Sequence, residues 1–247
     1  MSETGPVAVA FCPQPPLLVP EIAGGAAAEL DGLRAACDEA IRRMYAAGAA
    51  YVVVLAGDSE ARRYPASSFG DFGRYGAPGV RVGFGRFNCA GASQLPLGLL
   101  VGSWLLRRAG QPAGVAGKPL RIGQTITTAA PPQECADLGA LLADTESPLG
   151  LLVMGDGSAR RTEKAPGYLD PRAAAYDAAV AGALGKGDRD ALAELDSALA
   201  AELMVAGRAP WQVLAGAAAG RNWQGELLYH DAPYGVGYLV ASWMLVP

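Results

Sequence analysis

The sequence contains a single histidine among its 247 residues. Within one chain, one imidazole excludes a three-His zinc site, a two-His zinc finger and an iron centre held by two histidines and a carboxylate. Charge is also sparse, because only 18% of the residues are charged and 20 Lys+Arg face 24 Asp+Glu. Disordered chains are less apolar and more charged, and proteins that bind nucleic acid carry a basic surface. We therefore expect a folded protein that does not bind nucleic acid.

Long apolar runs and paired cysteines are missing as well. The longest apolar run, residues 95–106, ends at two arginines and is too short to cross a bilayer. The acidic N-terminus lacks the features of a secretory signal. We expect a cytoplasmic protein with no membrane partner. The cysteines are scattered, without a Cys-x-x-Cys pair, which favours reduced and buried thiols; they are Cys12, Cys37, Cys89 and Cys135.

The sequence does contain an alternation of apolar runs and helical patterns. Near-continuous apolar runs such as residues 51–56 suit parallel strands that are covered on both faces. Apolar residues at steps of three and four predict helices with one buried face. Predicted strands cover residues 6–12, 51–56, 120–126, 149–154, 226–229 and 237–244, and predicted helices cover residues 25–47, 95–109, 131–143, 171–184, 188–206 and 210–220.

This order predicts a single α/β domain over residues 1–247. Its central sheet is mainly parallel or mixed, with helices on both faces. Residues 57–91 are rich in Gly, Arg, Tyr, Phe and Ser, and we predict a long irregular insertion there, with at most a short hairpin near residues 80–87.

Polar turns follow three of the predicted strands. Gln14 lies in a proline-rich turn after the first strand, Asp58 follows the second, and a Gly-Asp-Gly-Ser turn follows the strand at residues 149–154. Ligands of open α/β sheets bind beyond the carboxyl ends of the strands. We therefore predict a crevice at this edge for a small-molecule ligand. The residues predicted to line it from these turns are Gln14, Asp58, Asp156, Ser158 and Arg160.

Lys164, Tyr234 and His230 are further candidates. Lys164 offers a cation for an anionic ligand, His230 or Asp58 offers a general base, and Tyr234 offers a pocket wall. Each feature has an ordinary alternative: the Gly-Asp turns as simple connections, Lys164 as a solvent-exposed lysine and His230 as a hydrogen-bonded residue at a strand end. The predicted catalytic residues are Asp58, Lys164 and His230, acting in metal-free acid–base chemistry.

Four segments resemble, in order, the class III extradiol ring-cleavage dioxygenase superfamily of LigB-like proteins. They are residues 7–21 (VAVAFCPQPPLLVPE), 51–59 (YVVVLAGDS), 152–170 (LVMGDGSARRTEKAPGYLD) and 210–220 (PWQVLAGAAAG). In that family the corresponding strands end in His-Pro-Pro, Pro-His and Gly-Asp-x-Ser-His. The sequence looks most similar to a subgroup of actinobacterial proteins of unassigned function. The resemblance implies a LigB-like α/β fold with its crevice at these turns.

The departures from the family pattern fall on its functional residues. Gln14 and Asp58 stand where the family has two histidines that bind non-haem Fe(II), and Ala159 stands where it has its catalytic histidine. Trp211 and Gln212 occupy the region of the third metal ligand. The resemblance therefore implies a pseudoenzyme that has lost the metal site, so no metal ligand and no cofactor are predicted; the alternative cofactor is Fe(II).

Three functions remain open from the sequence. The first is a LigB-like protein without iron that binds a small anionic or aromatic molecule, or performs metal-free chemistry, in the crevice. The second is a divergent class III extradiol dioxygenase, an oxidoreductase. The third is a non-catalytic subunit, which forms a homo-oligomer or pairs with another subunit.

Overall fold

A computed structural model describes residues 4–85, 95–110 and 119–246 of the chain. The strands in this part are β1 Gly5–Cys12, β2 Tyr51–Asp58, β3 Arg62–Tyr64, β4 Phe69–Phe72, β5 Ala77–Gly83, β6 Leu120–Thr127, β7 Pro148–Met154, β8 Trp223–Asp231 and β9 Tyr238–Leu245. The α-helices are α1 Pro20–Ala23, α2 Asp31–Ala46, α3 Leu97–Ala109, α4 Pro132–Ala143, α5 Ala173–Lys186, α6 Arg189–Ala193, α7 Ser197–Glu202 and α8 Arg208–Ala217. Short 3-10 helices cover Pro16–Leu18, Gly24–Leu30 and Gly73–Tyr75.

Seven of these strands form one mixed sheet in the order β3-β6-β2-β7-β1-β9-β8. The four in the middle, β6, β2, β7 and β1, run parallel to one another. β3 joins one edge antiparallel, and β9 and β8 extend the other edge antiparallel. The predicted α/β class with a mixed, centrally parallel sheet is confirmed.

Helices cover both faces of this sheet, which explains why its central strands are apolar on both sides. Alternate residues of one strand enter two different cores, because successive side chains point to opposite faces. In β2, Val52 and Val54 pack on the α2/α3 face, whereas Val53 and Leu55 pack on the face of α4, α5 and α8. Among the described residues, no helix combines the length and the apolar character needed to cross a membrane.

The segment predicted as an irregular insertion is more regular than expected. β2 continues to Asp58, β3 pairs with β6, and β4 and β5 form a separate antiparallel pair. The prediction of at most a hairpin near residues 80–87 is therefore wrong, and residues 86–91 lie outside the described part. Phe72 and Val82 anchor the pair in the α2/α3 core. A Cβ on Gly70 would lie 2.8 Å from Leu100 of α3, so contacts distant in sequence hold this hairpin.

Two predicted helices also differ from the structure. The helix predicted over residues 25–47 begins as a 3-10 helix, and its α-helical part starts at Asp31. The helix predicted over residues 188–206 is two helices, α6 and α7. Asp196 ends the connection between them by accepting N–H donations from Ala198 and Leu199, which caps α7.

The predicted state of the cysteines is confirmed where the structure describes them. Cys12, Cys37 and Cys135 are buried and form no disulfide. Cys89 lies outside the described residues.

Candidate functional site

Gln14 and Asp156 lie side by side where β1 and β7 end. In the parallel register of these strands, Cys12 lies opposite Met154. Gln14 and Asp156 each lie two residues beyond that pair, so they are equally far past the ends of their strands. The backbone N–H of Gln14 donates a 2.8 Å hydrogen bond to Oδ1 of Asp156. Both lie on the α2/α3 side: Gln14 Oε1 is beside Gly98 of α3, and the charge of Asp156 acts on Tyr238 of the α2/α3 core.

Asp58 is the last residue of β2, the strand that neighbours β7 on the side away from β1. The register between β2 and β7 ends with Leu55 opposite Val153. Asp58 lies three residues beyond Leu55, and Asp156 lies three residues beyond Val153. Side-chain alternation along β2 puts Asp58 on the same side of the sheet as Val52 and Val54, the α2/α3 side. It therefore ends the strand next to β7 on the side where Gln14 lies beside α3.

Tyr238 completes the arrangement on the other side of β1. In the antiparallel register of β1 and β9, Phe11 lies opposite Ala241, which brings Tyr238 opposite Gln14 when the register is continued. Tyr238 is 3% exposed and belongs to the α2/α3 core. We refer to the four residues across β2, β7, β1 and β9 as the strand-end row; they are Asp58, Asp156, Gln14 and Tyr238.

The Asp156 carboxyl has an unusual protonation behaviour. Burial raises its pKa from 3.8 to about 7, although the N–H of Gln14 acts in the opposite direction. Burial also raises the pKa of the Tyr238 hydroxyl, and the charge of Asp156 raises it further. A carboxyl group with a pKa near 7 exchanges its proton at neutral pH, which is what general acid–base chemistry requires.

The Gln14 amide is buried between the row and the start of α3. Gln14 is 9% exposed, and its Oε1 has no hydrogen-bond partner among the described residues. A Cβ on Gly98 would lie 2.5 Å from this Oε1 and 2.6 Å from the Cβ of Ala56. Gly98 therefore lets the first turn of α3 approach the row. Pro96, at the N-cap position, provides no side-chain cap, so the positive end of the helix dipole lies next to Gln14.

Tyr64 is a neighbour of Asp58 that the sequence analysis did not identify. It is 6% exposed at the end of β3. Burial raises the pKa of its hydroxyl, and the charge of Asp58 raises it further, which places the two groups near each other. Its position depends on the pairing of β3 with β6, and no sequence pattern predicts that short strand.

Ser158 and Asp177 hold the loop after β7 in place. The Ser158 hydroxyl donates to the carbonyl of Leu203 (2.9 Å) and accepts from the N–H of Arg160 (3.1 Å). The Ser158 N–H donates to Asp177 Oδ1 at 2.8 Å, and Arg161 donates to Asp177 Oδ2 at 2.8 Å. Burial raises the pKa of Asp177, while these two donors lower it. Sequence analysis missed Asp177, whose only signal is an acidic residue within the largely apolar helix α5.

Lys164 and Tyr234 lie in a separate cleft of about 580 Å³ between two loops. Lys164 is exposed there, and the Tyr234 hydroxyl donates to Glu29 at 2.8 Å, which raises the pKa of Tyr234. The residues that line this cleft are Thr162, Glu163, Lys164, Pro233, Tyr234 and Gly235.

Arg160 and His230 are also not brought to the row. The charge of Arg160 acts on Asp170, whose pKa is lowered to about 2, chiefly by Arg172. His230 is exposed on the edge strand β8 and pairs with Leu239. Leu239 packs on the face of α4, α5 and α8, so His230 lies on the side of the sheet opposite to the row.

Comparisons with known proteins identify the fold alone. The chain is similar to the crystal structure of the uncharacterized protein JW3007 from Escherichia coli K12. The TM-score is 0.54 at 12% sequence identity, over 96% of this chain and 99% of that one. No protein-family model matches the sequence, and no curated protein matches it.

The side chains of the row do not fit the two-histidine iron centre of the LigB-like family. Such a centre needs two imidazoles and a carboxylate on one metal ion. The row offers two carboxyl groups, an amide and a phenol, and the one histidine of the chain faces away from it. Within the residues that the structure describes, no group of three or more His, Cys, Asp or Glu side chains is placed to hold a metal.

Proposed function

We propose that the protein binds a small hydroxylated aromatic molecule at the strand-end row without a resident iron ion. The observation that carries this proposal is the contact between Asp156 Oδ1 and the Gln14 N–H (2.8 Å), beside the buried Gln14 Oε1 that has no partner among the described residues. Burial raises the pKa of this carboxyl to about 7. Carboxylate and amide oxygens accept hydrogen bonds from hydroxyl groups. Asp58 adds a second carboxylate, which favours a neutral hydroxyl over an anionic ligand.

The motif resemblance supports this location. The turns that hold Gln14, Asp58 and Asp156 are the ones that resemble the functional turns of LigB-like proteins. The proposed relationship is a LigB-like protein that keeps the crevice and has Gln14 and Asp58 in place of the metal-binding histidines. Oxygen-dependent ring cleavage is therefore not the proposed reaction.

Asp156 is the group we propose for any proton transfer at this site. With a pKa near 7 it is present both as an acid and as a base at neutral pH. In its neutral form it donates to a ligand oxygen, and in its charged form it accepts from a ligand hydroxyl. We assign this role to Asp156 instead of Lys164 or His230, because Lys164 lines the cleft that holds Tyr234 and His230 faces the other side of the sheet.

Calorimetric titration with phenol and catechol at pH 7 tests the proposal. We expect binding to the unmodified protein and a loss of about tenfold or more in affinity in Asp156→Asn, because the exchangeable proton is removed. Asp190→Asn is the matched control, since the Asp190 side chain is 73% exposed on α6. No binding of either compound, or equal binding by Asp156→Asn, contradicts the proposal. Loss of binding in Lys164→Ala alone would place the site in the separate cleft.

Metal analysis tests the iron-free part of the proposal independently. We expect the purified protein to contain far less than one equivalent of iron, and anaerobic addition of Fe(II) followed by catechol and oxygen to give no ring-fission product. Stoichiometric iron, or formation of that product, would overturn the proposal in favour of a divergent dioxygenase.

A further inference from the structure

Arg208 is a buried cation without a counter-charge. It begins helix α8 and is 3% exposed. Among the described residues, no carboxylate lies within 4 Å of its guanidinium. Charged side chains are almost never fully buried unless they are paired, because removing a charge from water is costly. Arg208 therefore departs from the usual pattern, and an anionic partner would stabilise its buried charge.

The hydrogen bonds of Arg208 leave part of its guanidinium unused. Nη1 donates to the carbonyl of Ala130 and to Oε1 of Gln212 (3.0 Å), and Nη2 donates to the carbonyl of Thr128 (2.6 Å). These acceptors are all neutral. Nε and one Nη2 hydrogen have no partner in the described part of the chain. Nε and Nη2 share the edge of a guanidinium that binds a carboxylate through two parallel hydrogen bonds.

Arg208 also borders a cleft of about 560 Å³ between α7, α8 and the loop after β6. This cleft opens on the face of the sheet opposite to the strand-end row, since α8 packs on that face. Alanines, Met204 and Val205 form most of its lining, and Thr128 and Ser197 supply hydroxyl groups. The first turn of α8, with its positive dipole end, lies at the same place.

One residue that lines this cleft and one within electrostatic range of Arg208 also have hydroxyl groups without a partner among the described residues. The Oγ of Ser197 is buried without a hydrogen bond among the described residues, and so is the hydroxyl of Tyr176. Tyr176 is 8% exposed, and Arg208 lowers the pKa of its hydroxyl while burial raises it, which places the phenol within electrostatic range of the guanidinium. A buried polar group without a partner costs free energy, and a bound ligand removes that cost.

We propose that this cleft, bordered by Arg208, Ser197 and Met204, binds a small carboxylate with a short apolar body. The carboxylate accepts two hydrogen bonds from the Nε–Nη2 edge of Arg208 and neutralises its charge. The apolar body lies against the alanines, Val205 and Met204. This site is distinct from the strand-end row and does not depend on the function proposed there.

Titration of the full chain with sodium hexanoate, and with hexanamide as the uncharged match, tests the proposal. We expect hexanoate to bind in the millimolar range or tighter and hexanamide to bind at least about tenfold more weakly. Arg208→Lys keeps the charge but removes the Nε and Nη2 donors that would form two parallel hydrogen bonds, so we expect a loss of about tenfold or more in hexanoate affinity. Arg42→Lys is the matched control, because the Arg42 side chain is 51% exposed on α2.

A second measurement does not depend on the folding of Arg208→Lys. The methionine methyl resonance of Met204, assigned with Met204→Leu, is expected to shift during the hexanoate titration and to give the affinity found by calorimetry. Ser197→Ala, a mild change at the cleft, is expected to alter that affinity. No shift at Met204 up to about 10 mM hexanoate, or equal shifts with hexanamide, overturns the proposal. A shift with inorganic phosphate but not with hexanoate also overturns it, because the apolar body is then not recognised.

Discussion

At the scale of single residues, Asp156 links the strand-end row to the stability of the protein. Its folded pKa of about 7 lies above the usual value of 3.8, so the folded state holds this proton more tightly than the unfolded state does. By linkage, the contribution of Asp156 to the free energy of unfolding falls as pH rises from about 4 to about 7. A carboxyl that lowers stability at neutral pH is typical of a functional site.

Replacing Asp156 by Asn tests how ionisation of Asp156 affects stability, because Asn keeps the Oδ1 that accepts the N–H of Gln14 and cannot ionise. We expect Asp156→Asn to be more stable than the unmodified protein at pH 8, and the difference to grow by about 1–3 kcal/mol between pH 5 and pH 8. Urea unfolding of both proteins at pH 5, 7 and 8 measures it. Other titrating groups occur in both proteins and cancel, so a difference that does not change with pH would show that Asp156 titrates normally.

Asp177 is the residue that stabilises the loop after β7. Asp177→Ala leaves Arg161 and the Ser158 N–H without their acceptor in the protein interior, so we expect a loss of about 3 kcal/mol in the free energy of unfolding. The matched control is Asp190→Ala, which removes an exposed carboxylate paired with Arg189 and should cost less than about 0.5 kcal/mol. Equal denaturation midpoints for the two variants would contradict this account of Asp177.

At the scale of elements, the row depends on a close approach of helix α3. Gly98→Ala adds a methyl group that meets Gln14 Oε1 at 2.5 Å and Ala56 Cβ at 2.6 Å. We expect it to destabilise the protein by about 1–3 kcal/mol despite the better helix propensity of Ala, and to weaken phenol binding. Gly182→Ala, at an exposed position of α5 where no described atom lies within 4 Å of the new methyl, should instead stabilise by about 0.5–1 kcal/mol. Thermal unfolding separates the two, and a stabilised Gly98→Ala would contradict the close approach.

The elements also show what the sequence could and could not predict. Apolar runs and helical spacing predict most strands and helices of the central sheet, and the polar turns after two of these strands hold the hydrogen-bonded pair Gln14 and Asp156. The place of Asp58 beside this pair stays a prediction. β3, β4 and Tyr64 could not be predicted, because contacts with distant elements hold them in place. Asp177 was missed for the same reason: a buried polar side chain on a helix has a partner that only the fold supplies.

The separation of His230 from the row has a related cause. Chain order puts it near a polar turn, but strand register decides which side of the sheet its side chain faces. His230 lies opposite Leu239, and Asp231 lies opposite Tyr238. A shift of the β8 register by one residue would therefore move the His230 side chain to the other face of the sheet. Sequence patterns do not fix the register of an edge strand that is half exposed on both sides.

At the scale of the whole molecule, the two cores share the same strands. Val54 contributes to the α2/α3 core and Val53 to the opposite core, although they are neighbours in β2. A sheet that serves two cores couples their stabilities, so the single domain predicted from the sequence is expected to unfold in one cooperative step. The proposed ligand sites on the two faces would then stabilise the same unit.

The distribution of tryptophans allows this cooperativity to be measured. Trp211, Trp223 and Trp243 pack in the core on the α4, α5 and α8 face, and Trp104 packs against the other core. In a Trp104→Phe background, fluorescence therefore reports on one face of the sheet, whereas far-ultraviolet circular dichroism reports on all helices and strands.

In that background we expect Val54→Ala, on the face without tryptophans, to lower the free energy of unfolding by about 2 kcal/mol. The reason is that the cavity it leaves weakens β2, which both cores share. Fluorescence and circular dichroism should give the same denaturation midpoint, and Val53→Ala, the matched change on the other face, should shift both probes together as well. Separate midpoints for the two probes in Val54→Ala would show that each face unfolds independently, and the sheet would then hold two stability units instead of one.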